Sequence, residues 1–191
     1  MRVGILGGTF NPPHIAHLIL AETIRVSCAL DQIRWIPAGT PPHKSADTAA
    51  EHRLAMTRIA VAGNPAFTVS DLEVVRGGAS YTIDTVELLQ RTEPDVDFSL
   101  LIGSDSLADL LSWRRPDDLV ARLPLIVYPR PGADPRPEAA TRYARRITFV
   151  DAPLIEVSSY SIRRRVHQGL SIRYLVPEAV YAYIAEHGLY R

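Results

Sequence analysis

Short apolar runs that end at glycine, proline or polar residues alternate repeatedly with amphipathic segments along this chain of 191 residues. That alternation is the pattern of a parallel sheet covered by helices, because parallel neighbours need a crossover connection and the crossover is usually a helix. The spacing predicts strands over Val3 to Leu6, Gln32 to Ile36, Phe67 to Val69, Phe98 to Ile102, Leu125 to Tyr128 and Ile147 to Val150, with Leu72 to Val75 extending the third. It predicts helices over Ile15 to Ala29, from a Thr48-x-x-Glu51 capping box to Ala62, over Ile83 to Arg91 with Ser80 or Thr82 as cap, after Pro116, over Glu138 to Arg145, from a Ser158 cap, and from Pro177 to Gly188. In the first helix Ile15, Leu18, Ile19, Glu22 and Val26 fall near one face, expected to turn inward, with Arg25 facing away. The expected fold class is α/β, a doubly wound parallel sheet with helices on both faces.

The first unit carries the densest chemistry. An apolar run into Gly7-Gly8 is followed by Thr9, Phe10, the turn Asn11-Pro12-Pro13, and His14 and His17 at the start of a helix. In an open parallel sheet such a turn lies outside the carboxyl end of a strand, where ligands bind. Glycine lets a ligand approach backbone closely, and a helix start offers free N–H groups and a positive dipole end to phosphate. Residues i and i+3 share a helix face, so both imidazoles can reach one anion. The stretch is neither the G-x-G-x-x-G dinucleotide fingerprint nor a P-loop. The plainer reading is a tight turn with two incidental surface histidines.

Other strand ends repeat the theme. After the second strand, a proline-stiffened loop carries His43 and Lys44, either a phosphate contact or an exposed polar loop. Gly103-Ser104-Asp105 follows the fourth; the carboxylate of Asp105 either accepts from sugar hydroxyls or caps the next helix. Trp113 is either core or a flat platform for an aromatic ring. Near the end, Ser158 and Ser159 precede Arg163-Arg164-Arg165 in what read as the first turns of a helix. Cations there oppose the helix dipole unless an anion sits with them; the plainer reading is a solvated basic face. Arg53 reads as a solvated arginine beside a core Met56, and the proline-rich stretch Pro129 to Pro137 as a loop.

Composition narrows the function classes. A net charge of zero gives no global attraction to nucleic acid or anionic membrane. No apolar run approaches ~20 residues, so no membrane-spanning helix is expected, and the glycine-broken N-terminal strand does not read as a signal peptide. The single cysteine, Cys28, cannot form an internal disulfide and fits a reducing, cytoplasmic compartment. One domain over residues 1–191 is expected, its C-terminal helical part from about 156 completing the phosphate site.

Taken together the motifs resemble a known family. G-G-T-F-N-P-P-H-I-A-H at Gly7 to His17 is similar to the nucleotidyltransferase signature built on (H/T)-x-G-H, and V-S-S-Y-S-I-R at Val157 to Arg163 to that family's I-S-S-T-x-I-R. P-P-H-K at Pro41 to Lys44, S-Y-T-I-D-T at Ser80 to Thr85 and G-S-D-S-L…W at Gly103 to Trp113 narrow the resemblance to bacterial nicotinate-nucleotide adenylyltransferases. The resemblance spans the chain, through S-I-R-Y-L-V-P at Ser171 to Pro177.

It implies a Rossmann-like fold and a reaction in which nicotinate mononucleotide attacks the α-phosphorus of ATP in line, giving deamido-NAD and pyrophosphate in NAD biosynthesis. Mg²⁺ is implied as cofactor, bound mainly through substrate phosphates rather than by a protein metal site. By position, His14 and His17 contact the ATP phosphates, Gly7, Gly8 and Thr9 line the nucleotide phosphates with Phe10 nearby, and Ser159 and Arg163 hold the β- and γ-phosphates. Gly103 and Asp105 correspond to adenosine-ribose contacts, Lys44 with His43 to the mononucleotide phosphate, and Thr82 and Trp113 to the nicotinate. Lys44 and Arg163 stand with the histidines as catalytic positions. Two departures are visible: Ala16 replaces the glycine of H-x-G-H, and Tyr160 the threonine of S-S-T. Other acceptors on the same fold (nicotinamide mononucleotide, phosphopantetheine phosphate) and a non-catalytic nucleotide binder are the alternatives. The expected partners are the small-molecule substrates, with no nucleic acid and no membrane, and oligomeric state is left open.

Overall fold

In a computed structural model, residues 1–41, 48–134 and 137–191 are described. Their strands form one six-stranded, all-parallel sheet: β1 (Arg2–Gly8), β2 (Gln32–Pro37), β3 (Phe67–Val69), β4 (Asp97–Gly103), β5 (Leu125–Tyr128) and β6 (Ile147–Phe149). The order is β3-β2-β1-β4-β5-β6. The chain winds outward from β1 through β2 to β3, then returns to place β4 on the other side of β1. That reversal opens a crevice at the carboxyl ends of β1 and β4, the position where doubly wound sheets bind ligands.

The helices are α1 (Ile15–Ser27), α2 (Ala50–Val61), α3 (Leu72–Arg76), α4 (Thr82–Thr92), α5 (Ser104–Asp109), α6 (Pro116–Arg122), α7 (Glu138–Arg142), α8 (Ser159–His167) and α9 (Glu178–Glu186). Strand alternation sorts the core into two layers. Val3, Ile5, Leu100, Ile102, Leu125 and Val127 pack against α4 and α6 on one face. Leu6, Ile33, Trp35, Leu101 and Ile126 pack against α1 and Val61 of α2 on the other. Gly4 sits on that second face, where a Cβ would come within 2.8–2.9 Å of Leu30, Ile33 and Leu101. A third cluster joins Met56 of α2 to Ile162 of α8 and to Val180 and Ile184 of α9, so the C-terminal helices fasten beside α2.

Three expectations change. The inward face of α1 is Ala16, Leu20, Ala21 and Ile24, while Ile19 and Val26 are 42% and 62% exposed. Two stripes compete on this helix, and the one expected to be buried carries Glu22, whose charge stays outside, paired with Arg25 and Asn64. Leu72 to Val75 is helix, not strand: β3 ends at Val69 and Asp71 stands at the N-cap of α3. Finally, α2 starts without its expected box, for Ala49 is the N-cap and makes no side-chain bond.

Candidate functional site

Two clefts meet over the carboxyl ends of β1 and β4. The larger, about 500 Å³, is lined by Gly7, Gly8, Thr9, Phe10, Asn11, His14, His17, Asp105, Arg130, Ser159, Tyr160 and Arg163, among others. The second, about 320 Å³, is lined by Gly8, Thr9, Pro41, Ser80, Tyr81, Thr82, Trp113 and Arg114 with their neighbours. Gly8, Thr9 and Ser106 border both. Gly7 faces open space, so a ligand can lie directly on its backbone.

The β1–α1 loop is held from several sides. Phe10 takes a left-handed backbone (φ 48°) and is buried, its ring packing edge-on to His17 and tilted against Trp35 at 5.2 Å. Such strain persists only where packing over-determines it. Ser159 Oγ donates to the Pro12 carbonyl at 2.8 Å, and Arg163 Nη1 to the Asn11 carbonyl at 2.9 Å. Tyr190 Oη donates to Asn11 Oδ1 at 2.7 Å. Burial pushes the Tyr190 phenol up to about 12, so it remains a donor.

His14 is the N-cap of α1 and almost fully buried. Its main-chain N–H donates to His17 Nδ1 at 3.2 Å, and the two rings stack at 3.6 Å. Accepting at Nδ1 puts the proton of neutral His17 on Nε2. Burial, then the Arg130 charge, lower the His14 pKa to about 4. Burial, then His14 and Arg130, hold His17 well below its ordinary value. Both imidazoles are therefore neutral donors near pH 7. Nδ1 of His14 is buried and has no partner among the described residues.

On the β4 side, Asp105 lies in the first turn of α5, where its Oδ1 accepts from the Ser106 N–H at 2.9 Å and its carboxylate lies 3.7 Å from Arg130 Nε. The N-cap of α5 is Gly103, so Asp105 does not cap the helix as expected; its carboxylate lines the larger cleft. Trp113 is half-buried, packed on the β4 layer with part of its ring lining the second cleft. Neither Ser80 nor Thr82 caps α4; Tyr81 is the N-cap, while Ser80 Oγ accepts from the Gly39 N–H at 3.0 Å. At the chain's end Ser158 caps α8 as expected. That helix has only nine residues, so Arg164 and Arg165 fall in its last turn, where the dipole favours them. Arg163 alone of the three reaches the β1–α1 loop.

A cytidylyltransferase-like family profile matches residues 5–165. A probable nicotinate-nucleotide adenylyltransferase of Salinibacter ruber is 52% identical, covering 100% of this chain and 98% of the relative. One of Herpetosiphon aurantiacus is 45% identical over 99% and 98%. The chain belongs to the nicotinate-nucleotide adenylyltransferase family. The fold agrees: the Plasmodium falciparum nicotinic acid mononucleotide adenylyltransferase complexed with NaAD superposes with a TM-score of 0.84 at 21% identity, over 99% of this chain and 97% of that one.

Of the positions singled out from sequence, Gly7, Gly8, Thr9, Phe10, His14, His17, Asp105, Ser159 and Arg163 line the larger cleft, and Thr82 and Trp113 the second. Gly103 borders a smaller cavity between them. His43 and Lys44 lie outside the described residues. In this adenylyltransferase Ala16 is buried as the second residue of α1, and Tyr160 is 66% exposed on the cleft rim with the Arg163 guanidinium 6.0 Å from its ring. Sequence reasoning missed Arg130, a cation two residues past β5 that lies within the proline-rich loop; the strand-end rule applied elsewhere would have found it. It also misjudged Arg53, which is fully buried rather than solvated.

Proposed function

We infer that this protein transfers the adenylyl group of ATP to nicotinate mononucleotide, forming deamido-NAD and pyrophosphate in NAD biosynthesis. The observation that carries the reading is the meeting of the two clefts at Gly8, Thr9 and Ser106. One cleft offers imidazole, guanidinium and a helix start, as a triphosphate needs; the other offers Trp113, a ring platform, beside the start of α4.

In the step we propose, an oxygen of the mononucleotide 5′-phosphate forms a bond to the α-phosphorus of ATP. The bond from that phosphorus to the bridging oxygen breaks on the opposite side, and its electron pair leaves with pyrophosphate. No protein nucleophile is needed, so the protein contributes placement and charge stabilisation. Nε2–H of His17 and the imidazole of His14 donate to the triphosphate. The main-chain N–H of Ser159 at the start of α8, with Arg163 and Arg130, receives charge at the leaving group, and Asp105 at Gly103 takes the adenosine ribose. Thr82, with the free N–H groups opening α4, receives the nicotinate carboxylate. We assign the mononucleotide phosphate to Lys44 with His43, three and two residues in sequence beyond Pro41, which lines the second cleft.

Among the described residues no three histidine, cysteine or carboxylate groups converge on a metal position. We propose that Mg²⁺ would be held by the substrate phosphates and water, where it would neutralise phosphate charge. We also propose that the C-terminal part from about residue 156 belongs to the same domain, supported by the bonds of Ser159 and Arg163 to the β1–α1 loop. No helix among the described residues is long and apolar enough to cross a membrane, and the unpaired Cys28 supports a cytoplasmic placement.

The test is pyrophosphate release from ATP and Mg²⁺ with nicotinate mononucleotide, nicotinamide mononucleotide and phosphopantetheine offered in parallel. Fastest turnover with the first is expected. Turnover with another acceptor alone would overturn the roles of Thr82 and Trp113, and none at all in a folded, ATP-binding protein would make it a nucleotide sensor.

A further inference from the structure

Arg53 lies on α2, is 1% exposed, and does not itself line either cleft. A buried guanidinium is costly unless its donors are satisfied. Here four bonds satisfy it, and among the described residues every one goes to a main-chain carbonyl. Nη1 donates to Thr9 at 2.9 Å and to Ala38 at 2.6 Å, Nη2 to Gly39 at 2.7 Å, and Nε to Thr48 at 3.2 Å. These carbonyls belong to three separate segments: the β1–α1 loop, the loop after β2, and the approach to α2.

The segments tied in this way are the ones that frame the two clefts. Thr9 borders both, and Ala38 borders the second. Beyond Gly39 the network continues, since the Gly39 N–H donates to Ser80 Oγ and Ser80 lines the second cleft. The loop cannot shift toward α3, because even a Cβ at Gly39 would run into the Glu73 carbonyl. Glu73 is itself buried and accepts from Thr85 Oγ1 at 2.6 Å. One planar fork thus fixes the spacing between the loop assigned to the ATP phosphates and the wall assigned to the mononucleotide.

We propose that Arg53 is a positioning residue for adenylyl transfer, setting the distance between the two substrates rather than binding either. The inference rests on the two-substrate reading above. In-line attack needs reacting atoms about 3–3.5 Å apart, and a misplacement of about 1 Å can cost on the order of 100-fold in rate. Lysine keeps the charge but cannot span three segments with a rigid fork.

The test uses the full chain with Arg53→Ala and Arg53→Lys. Melting temperature, calorimetric affinity for ATP alone and for nicotinate mononucleotide alone, and kcat are measured, with guanidinium at non-denaturing concentration added to Arg53→Ala. The expected result is a kcat lowered about 100-fold in Arg53→Ala. Single-substrate affinities should stay within threefold, guanidinium should restore at least tenfold, and Arg53→Lys should fall between. If Arg53→Ala does not fold, Arg53→Lys is judged on the same split between kcat and affinity. A folded variant with kcat within twofold of the parent overturns the proposal. So does a loss of affinity with kcat kept, a failure of guanidinium to restore turnover, or the failure of both variants to fold. A parent protein that does not release pyrophosphate with nicotinate mononucleotide would instead overturn the functional reading.

Discussion

The main-chain N–H of His14 donates to Nδ1 of His17 at 3.2 Å, with the two rings stacked at 3.6 Å. This bond fixes both the orientation and the tautomer of His17, leaving Nε2–H as its outward donor. A donor preset on developing phosphate charge is worth about 100- to 1,000-fold in rate. His17→Ala is therefore expected to keep the fold and lower kcat by that order. His17→Asn, whose side-chain oxygen can still accept from His14, should hold the melting temperature yet lose kcat similarly. Normal turnover in either folded variant would remove His17 from the mechanism.

The same pair makes stability depend on acid. In the unfolded chain histidine takes up a proton near pH 6.5, whereas folded His14 does so only near about 4. Between these values the unfolded state binds more protons, so stability rises with pH across the window and is complete above it. Acidification from pH 7 toward 4 should remove on the order of 3 kcal/mol through His14. Buried Glu73, whose pKa is raised by burial, acts in the opposite sense, so the comparison is urea unfolding of the parent against His14→Gln. An unchanged pH slope in the variant would show that His14 does not carry the effect. A bound triphosphate favours the protonated rings, so ATP binding near pH 6 should take up protons, seen as a binding heat that varies with buffer ionisation.

At the end of β4, a Cβ on Gly103 would collide with Asp105 Oδ1 and lie 2.8 Å from Arg130 Cγ. Both obstacles are flexible side chains, so Gly103→Ala should fold. Its effect should be to displace Asp105 and Arg130 within the larger cleft. The expected outcome is a KM for ATP raised about tenfold with the mononucleotide KM little changed, a loss near the ~1–2 kcal/mol of a charge-assisted hydrogen bond. Equal effects on both substrates would place Asp105 outside the ATP side.

Strands and their ends were legible in the sequence because each buried parallel strand is a short apolar run closed by a breaker. His14, His17 and Arg163 were found because they follow such ends or a serine cap. Contacts between distant segments left no such mark. Nothing local distinguishes Arg53 from a solvated helix arginine; its burial depends on three carbonyl-bearing segments converging on it, at Thr9, at Ala38 with Gly39, and at Thr48. Likewise the inward face of α1 was decided by Glu22, whose partner Asn64 lies 42 residues away. The capping box at Thr48 is not formed because α2 begins one residue later, with Ala49 as N-cap, and the buried Thr48 side chain bonds to Tyr190 instead.

Trp113 separates binding from folding most cleanly. It follows the short 3₁₀ turn Leu110–Ser112, with its ring packed partly on the β4 layer and partly open to the second cleft beside Thr82 and Pro41. Because the ring is only half-buried, truncation removes less packing than a core tryptophan would, and the fold should survive with a lowered melting temperature. On the substrate side the loss is a stacking face, on the order of 1–3 kcal/mol. Trp113→Ala should therefore raise KM for nicotinate mononucleotide about 10- to 100-fold with KM for ATP within twofold, and Trp113→Phe should recover part of it. Steady-state kinetics with each substrate varied in turn reads this directly. An unfolded Trp113→Ala together with an unaltered Trp113→Phe would assign the ring to the core instead, and a matching rise in KM for ATP would mean that the two clefts do not divide the substrates as assigned.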